Sequence, residues 1–192
     1  MSRHRAWRVG ANIDTDALAP GAYMKQDLSV LAAHTLESRY PGLAAQLAPG
    51  DVLVAGPGFG IGSSREQAVG VLVQLGVKAV IAPTFSGLYF RNAFNLGLLA
   101  IVCPQAESIA EGSDIEIDTR QSQLHVYNAS AAADNPGALV GSYACQPIPQ
   151  FLVDMAAAGG LLPQLQTRLA HSHRHNAFGL NDSNSQSIHD FI

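Results

Sequence analysis

A glycine-rich segment, GPGFGIGSSREQ at residues 56–67, ends in the side chains of this chain that are best suited to chemistry. It presents two hydroxyls, Ser63 and Ser64, followed at once by the guanidinium of Arg65. A guanidinium offers a planar pair of donors that matches a carboxylate or a phosphate. A helix predicted to begin at about Ser63 would add backbone N–H groups that have no internal partner and carry partial positive charge. The segment therefore predicts a site for a small anion, with a carboxylate as the simplest ligand.

The same residues also have a purely structural interpretation. Ser63 and Glu66 fit the capping box, in which the serine caps a helix and the glutamate returns a hydrogen bond. Arg65 alone is more often an exposed helix residue than a ligand clamp. The four glycines favour the binding interpretation, because a cap does not require them and bare backbone lets a ligand come close.

Three familiar glycine- or serine-based motifs are absent from this segment. A P-loop needs a lysine, and none occurs between Gly56 and Gln67. The alternating glycines do not have GxGxxG spacing, and the next predicted strand, KAVIAP, does not end in an acidic residue. Ser63 is followed by Ser64 and Arg65, which excludes the GxSxG elbow. Nucleotide binding and serine-hydrolase chemistry are therefore not indicated.

The elements around the segment predict a parallel α/β unit. Apolar strands are predicted at 51–55, 78–83 and 99–103, and helices from about Ser63 to Gly76 and at 87–98. This order implies right-handed parallel connections. Other predicted elements are a strand at 6–10, a helix at 28–40 ending before Pro41-Gly42, a hairpin within 113–127, and a short helix at 151–165 interrupted by Gly159-Gly160.

Composition limits the possible functions. Apolar residues make up 47% of the 192 residues and charged residues 14%, which favours a heavily buried sheet or a partner-facing surface. A net charge of −4 lacks the basic footprint of a nucleic-acid binder. Cys103 and Cys145 are far apart in sequence, so we expect buried or incidental thiols in a reducing compartment. No run approaches ~20 apolar residues and the basic N-terminus lacks an apolar signal core, so we expect a cytoplasmic protein without a membrane span.

We expect one folded domain at 1–168 and a polar, mobile tail at 169–192. The tail becomes irregular from about His171 and contains HSHRH at 171–175. These histidines could bind a metal adventitiously, but a solvated tail is the usual state of such a segment.

Two motifs resemble signatures of one family. GFGIGSSREQA is similar to the FGxGSSREHA signature of the small, swivelling domain of the aconitase superfamily, and NIDTDALAP at 12–20 resembles its N(I/V)DTDxIxP loop. TFSGLYFRNAFNLGLL at 84–99 adds a third likeness, and the resemblance covers about residues 7–165. Order and spacing resemble a stand-alone small subunit of the isopropylmalate type. The implied fold is a three-layer β/β/α swivelling domain with a parallel-sheet core and an added β-hairpin.

The resemblance implies a hydro-lyase subunit that isomerises a 2-hydroxy acid by removing water and adding it back, a step of leucine biosynthesis if the acid is 3-isopropylmalate. It implies a large partner subunit whose [4Fe-4S] cluster binds the leaving hydroxyl. By position, Ser63 is the base that removes the proton alpha to a carboxylate, Ser64 and Arg65 hold a substrate carboxylate, and Asp16 supports them. A serine hydroxyl is a poor base and needs positive surroundings, which agrees with the charge expected at this segment.

The loop GAYMKQD at 21–27 occupies the place to which the family's substrate choice is attributed. Lys25 either contacts a substrate carboxylate or is a solvated loop lysine.

The chain departs from the family pattern in three features: Ile61 stands where many relatives have cysteine, Gln67 stands in place of the usual histidine, and the tail is long. Homocitrate, methylmalate or dimethylmalate therefore stay open as substrates, as does a catalytically silent anion-binding domain. Two scattered cysteines cannot supply an iron–sulfur cluster, so the implied cluster belongs to the partner.

Overall fold

A seven-stranded mixed sheet forms the centre of the computed structural model, which describes residues 2–129 and 137–178 and, in the last helix, side chains up to residue 170. The strand order is β4-β3-β2-β1-β5-β6-β7. Its strands are β1 (Arg3–Val9), β2 (Val52–Ala55), β3 (Ala79–Ala82), β4 (Leu99–Val102), β5 (Asp114–Asp118), β6 (Gln123–Tyr127) and β7 (Leu139–Ala144). The helices are α1 (Thr15–Leu18), α2 (Leu28–Ala33), α3 (Leu43–Gln46), α4 (Gln67–Gln74), α5 (Gly87–Asn95), α6 (Gln150–Ala157) and α7 (Leu161–Phe178).

Strands β1 to β4 form the parallel half of the sheet. Every residue of β2 and β3 is buried, which is why both strands are continuous apolar runs. Helices α4 and α5 connect β2 to β3 and β3 to β4, so the predicted strand–helix–strand–helix–strand order is confirmed. Gly76, at φ 76°, follows the end of α4 as expected.

Strands β5, β6 and β7 form the antiparallel half, and β5 pairs with β1. The predicted hairpin is β5–β6. Its turn is fixed by the Asp118 carboxylate, which accepts hydrogen bonds from the amides of Arg120 (2.9 Å) and Gln121 (2.8 Å). Strand β7 was not predicted, because its residues are exposed or half-buried and lack a buried alternation.

The two outer strands of the sheet, β4 and β7, come together just beyond their ends. The amide of Gln146, two residues after β7, donates to the carbonyl of Val102 in β4 at 2.9 Å. The amide of Cys145 donates to the carbonyl of Ser122 at 2.8 Å, so this segment joins β6 to β4. The sheet therefore curls until its opposite ends are in contact.

Two predicted helices have different bounds. Helix α2 ends at Ala33, far short of residue 40, because the chain turns at Leu36, where φ is 61°. Gly159 and Gly160, at φ 84° and 111°, separate α6 from α7 as predicted. Helix α7 continues through Phe178, so the expectation of an irregular chain from His171 was wrong for that stretch.

Residues 179–192 and the side chains of the HSHRH segment lie outside the described part of the chain. The boundary at 168 and the mobile tail therefore stay predictions. Among the described residues, no helix has the length and apolarity needed to cross a membrane.

Candidate functional site

The two signature segments lie side by side at the ends of β1 and β2. The amide of Asn12 donates to the carbonyl of Pro57 at 2.8 Å, that of Gly60 to Ile13 at 2.7 Å, and that of Thr15 to Ile61 at 2.9 Å. Arg39 holds the first segment from its other side by donating to the carbonyls of Ala11 and Asn12 at 3.0 and 2.8 Å. Motifs about fifty positions apart in the sequence therefore form one surface.

The glycines of the second segment make this close packing possible. At Gly60, φ is 75° and a Cβ would lie 2.2 Å from Cγ of Tyr89. At Gly58, a Cβ would lie 2.5 Å from Oδ1 of Asn12. The expectation that these glycines admit a ligand was wrong at both positions, because the group that approaches is another part of the protein.

The helix expected from Ser63 begins at Gln67 instead. Glu66 is the residue before the helix, and its side chain makes no capping hydrogen bond. The amide of Arg65 donates to the carbonyl of Ser63 at 2.9 Å, which places both residues in a bend. The predicted helix start at about Ser63 was therefore wrong, and the alternative interpretation of Ser63 and Glu66 as a capping box is wrong as well.

Tertiary contacts of Arg65 explain why the helix starts late. Its Nη1 lies 2.5 Å from Oδ1 of Asp16 and donates to the carbonyl of Ala19 at 3.1 Å. Asp16 stands in the first turn of α1, which Asp14 caps by accepting from the amide of Ala17 at 2.6 Å. The guanidinium is thus tied to the first signature segment through one nitrogen. Within the described residues, Nε and Nη2 have no hydrogen-bond partner and are left for a ligand.

Ser63 and Ser64 are exposed on the bend between Ile61 and Arg65. Neither hydroxyl takes part in a hydrogen bond with any described residue. The structure thus brings together four of the five predicted site residues: Ser63, Ser64, Arg65 and Asp16. The two hydroxyls are exposed and the half-buried guanidinium keeps unpaired donors, an arrangement that can bind a carboxylate.

Lys25, the fifth predicted residue, is not joined to that group. It is exposed, and it forms no ion pair with a described residue. The loop that carries it is nevertheless fixed, because the Tyr23 ring stacks on the His34 ring at 3.6 Å and Nδ1 of His34 lies 2.6 Å from Oε2 of Glu37. A role for Lys25 stays a prediction.

Thr15 lies beside the candidate site, and the sequence analysis did not single it out. Its side chain is buried, its hydroxyl has no partner among the described residues, and a Cβ at Gly62 would lie 3.0 Å from its Oγ1. The only signal was its position beside Asp16 in NIDTD.

A second unforeseen feature is a cavity of about 390 Å³ beside the start of α4, lined by Leu28, Glu66, Gln67, Gly70 and Leu96.

The described residues contain no group of three or more His, Cys, Asp or Glu side chains that could hold a metal ion. The sequence has two cysteines, Cys103 and Cys145, whereas iron–sulfur clusters are held by several clustered thiolates. The donor set of this chain therefore does not fit an iron–sulfur cluster.

Comparison with known proteins gives consistent matches. The family model for the aconitase C-terminal domain matches residues 28–106. The 3-isopropylmalate dehydratase small subunit of Nautilia profundicola is 40% identical over 159 residues, which cover 82% of this chain and 90% of that protein. The methanogen homoaconitase small subunit of Methanothermobacter thermautotrophicus is 37% identical over 161 residues, with 83% and 88% covered. A crystal structure of 3-isopropylmalate dehydratase (leuD) from Methanocaldococcus jannaschii matches with a TM-score of 0.77 and 33% identity, covering 90% of this chain and 98% of that one.

Proposed function

This chain belongs to the family of 3-isopropylmalate dehydratase small subunits in the aconitase superfamily, and we propose that it supplies the proton-transfer and carboxylate-binding residues of a two-subunit hydro-lyase. The expected swivelling-domain fold is confirmed by the structural match. A small subunit implies a large one as partner. The proposed reaction removes water from 3-isopropylmalate and adds it back at the neighbouring carbon.

The contact between Asp16 and Arg65 is the observation that carries this proposal. It joins the two signature segments through one guanidinium nitrogen, at 2.5 Å, and orients the remaining donors of Arg65. Those donors stand next to Ser63 and Ser64 in the chain, and both serines are exposed. A capping arginine or a solvated arginine would not need a carboxylate from a different segment to hold it.

In the proposed reaction, Ser63 as its alkoxide takes the proton alpha to a substrate carboxylate. The electron pair of the broken C–H bond moves toward that carboxylate, whose growing charge Arg65 stabilises through Nε and Nη2. Ser64 donates a hydrogen bond to the same carboxylate. Because α4 begins only at Gln67, Arg65 rather than the helix terminus supplies most of the positive charge near Ser63.

The cavity beside α4 supports a substrate with a branched alkyl group. Its lining includes Glu66 and Gln67, directly after Arg65 in the chain, and two leucines form part of its wall. An isopropyl group can pack against Leu28 and Leu96. The third carboxylate of homocitrate would instead meet Glu66, a residue of like charge. Homocitrate is still the second candidate, because a homoaconitase small subunit is 37% identical to this chain.

The proposal also includes a large subunit as partner and an iron–sulfur cluster as cofactor. Apolar side chains are exposed on the segments around the site, as a subunit interface requires: Leu28, Val30, Ile61, Val73 and Leu88. Dehydratases of the aconitase family generally depend on an iron–sulfur cluster. We assign that cluster, and the departure of the substrate hydroxyl, to the large subunit, since the thiolates of this chain cannot hold it. Lys25 is proposed as a contact to the second substrate carboxylate.

Co-production with the large-subunit candidate, anaerobic reconstitution and an assay on a panel of 2-hydroxy acids test this function. We expect a stable complex that converts 3-isopropylmalate, loses turnover in Ser63→Ala and keeps it in Ser108→Ala, an exposed serine elsewhere. Conversion of homocitrate alone would transfer the assignment to the second candidate. Two chains that do not associate would support a catalytically silent anion-binding domain instead.

A further inference from the structure

The two cysteines, which are 42 positions apart in the sequence, lie opposite each other where β4 and β7 meet. Gln146 donates its amide to the carbonyl of Val102 at 2.9 Å. The strand pairings make β7 run opposite to β4, because three antiparallel steps separate β7 from the parallel half. In such a pairing, the next residues inward, Cys103 and Cys145, form a pair without hydrogen bonds of its own. The Cα atoms of such pairs are about 4.5 Å apart, which lies within the range of about 4.4–6.8 Å that a disulfide needs.

The backbone holds both cysteines in this position. The amide of Cys103 donates to the carbonyl of Ala82 at 3.0 Å, and the amide of Cys145 donates to that of Ser122 at 2.8 Å. Each cysteine is therefore fixed to a different part of the sheet. The pair stands at the closure of the curl rather than on a free loop.

Both cysteines are free thiols, and they differ in access to solvent. Cys103 is fully buried, whereas Cys145 is half-buried and lines a shallow pocket with Ile101 and Ser122. The hydrogen-bonding interaction between the two thiols lowers the pKa of Cys103 to about 7 and, together with burial, raises the pKa of Cys145 above its usual range. Near neutral pH the first proton of the pair therefore leaves mainly from the buried Cys103, and the second proton can pass between the reachable and the unreachable sulfur.

We propose that Cys103 and Cys145 form a reversible intramolecular disulfide, with a small-molecule disulfide such as oxidised glutathione as the oxidant. The Cys145 thiolate attacks one sulfur of the oxidant, whose S–S bond breaks and releases one glutathione thiolate. Cys103, which holds the shared proton at that point, gives it to the released glutathione thiolate; the Cys103 thiolate then attacks the Cys145 sulfur and releases the second glutathione as a thiolate. Two cysteine sulfurs are oxidised and one disulfide is reduced.

The disulfide would join the two ends of the curled sheet covalently. It closes a loop of about 40 residues that contains β5, β6 and β7, which constrains the unfolded chain. For a chain of this length the expected rise in Tm is about 10 °C. This site does not depend on the function proposed for Ser63.

Treatment of the full chain with oxidised glutathione tests the proposal, with thiols counted after denaturation and peptides mapped without reduction. We expect the wild-type protein to lose both thiols, to gain a Cys103–Cys145 cross-linked peptide, and to regain the thiols with dithiothreitol. Two titratable thiols after treatment, a mixed disulfide that persists, or a covalent dimer would each overturn the proposal.

Single variants test the order of attack. Cys103→Ser should accumulate a stable mixed disulfide at Cys145, because the second sulfur is gone. Cys145→Ser should stay unmodified over the time in which the wild type reacts, since Cys103 is buried. Rapid modification of Cys103 in Cys145→Ser would contradict the assigned order. The wild-type peptide map decides the proposal even if a variant folds poorly.

Discussion

Asp16→Asn separates the positioning role of Asp16 from any role in stability. The substitution keeps the size of the side chain but removes the charge that holds Nη1 of Arg65 at 2.5 Å. The Asp16 side chain is 63% exposed and that of Arg65 is 23% exposed, so the ion pair is largely screened by water. Pairs of this kind contribute about 0–1 kcal/mol to the free energy of unfolding. In a chain of this length we expect Tm to fall by no more than about 4 °C.

The expected effect on catalysis is much larger. Without Asp16, only the carbonyl of Ala19 still fixes the guanidinium, so its free edge can turn away from the substrate carboxylate. A misplacement of about 1 Å at such a clamp costs roughly 10²-fold in rate. We expect kcat/KM of the reconstituted complex to fall by about 10²-fold. The assay is steady-state kinetics on 3-isopropylmalate together with urea unfolding of the isolated chain.

Glu116→Gln is the matched control. It removes a carboxylate that lies 3.4 Å from Nε of Arg3 and accepts from the Tyr127 hydroxyl, away from the signature segments. This variant should lose stability at least as much as Asp16→Asn and keep its activity. Unchanged kcat/KM in Asp16→Asn, or a loss matched by Glu116→Gln, would refute the positioning role.

Three further predictions concern stability and are measured by urea unfolding. Gly60→Ala should cost about 3 kcal/mol or more, because φ is 75° and the new Cβ would overlap Tyr89, whereas Gly21→Ala, with no atom within 4 Å, should change little. Burial raises the pKa of Tyr89 above its usual 10.0, so above pH 10 the folded state keeps a proton that the unfolded state releases. The free energy of unfolding should therefore fall by about 1.4 kcal/mol per pH unit above pH 10 because of this proton. Tyr89→Phe should lack this part of the pH dependence. Asp51→Ala should cost about 2–3 kcal/mol, because the buried Trp7 indole N–H loses its acceptor at 2.7 Å; a smaller loss would mean that water replaces it.

The parallel half of the fold was predictable because burial on both faces leaves a plain mark in the sequence. The apolar runs of β2, β3 and β4 are continuous because strands buried on both faces of a sheet carry apolar side chains on both sides. Strand β7 left no such mark, since four of its six residues are exposed and none is buried. The early end of α2 depends on the left-handed backbone conformation of Leu36, and a leucine side chain gives no indication of that conformation.

The site was predictable in its residue types but not in its geometry. Ser63 and Glu66 have the local pattern of a helix cap, yet Arg65 is drawn to Asp16 and the helix begins four residues later. Local propensity is weak against a tertiary contact of this kind. The meeting of Cys103 and Cys145 depends on closure of the whole sheet, so no local signal could have indicated it.

Exchange of the substrate's alpha proton tests the central claim most directly, because it reports proton removal alone. Unlabelled 3-isopropylmalate is incubated with the reconstituted complex in D₂O. Deuterium is followed by NMR at the carbon next to the one that bears the hydroxyl, for wild type, Ser63→Ala and Ser108→Ala. We expect exchange in the wild type and in Ser108→Ala, and a loss of about 10³-fold or more in Ser63→Ala while the two subunits still associate. Exchange at the wild-type rate in Ser63→Ala would contradict the assignment of Ser63 as the base.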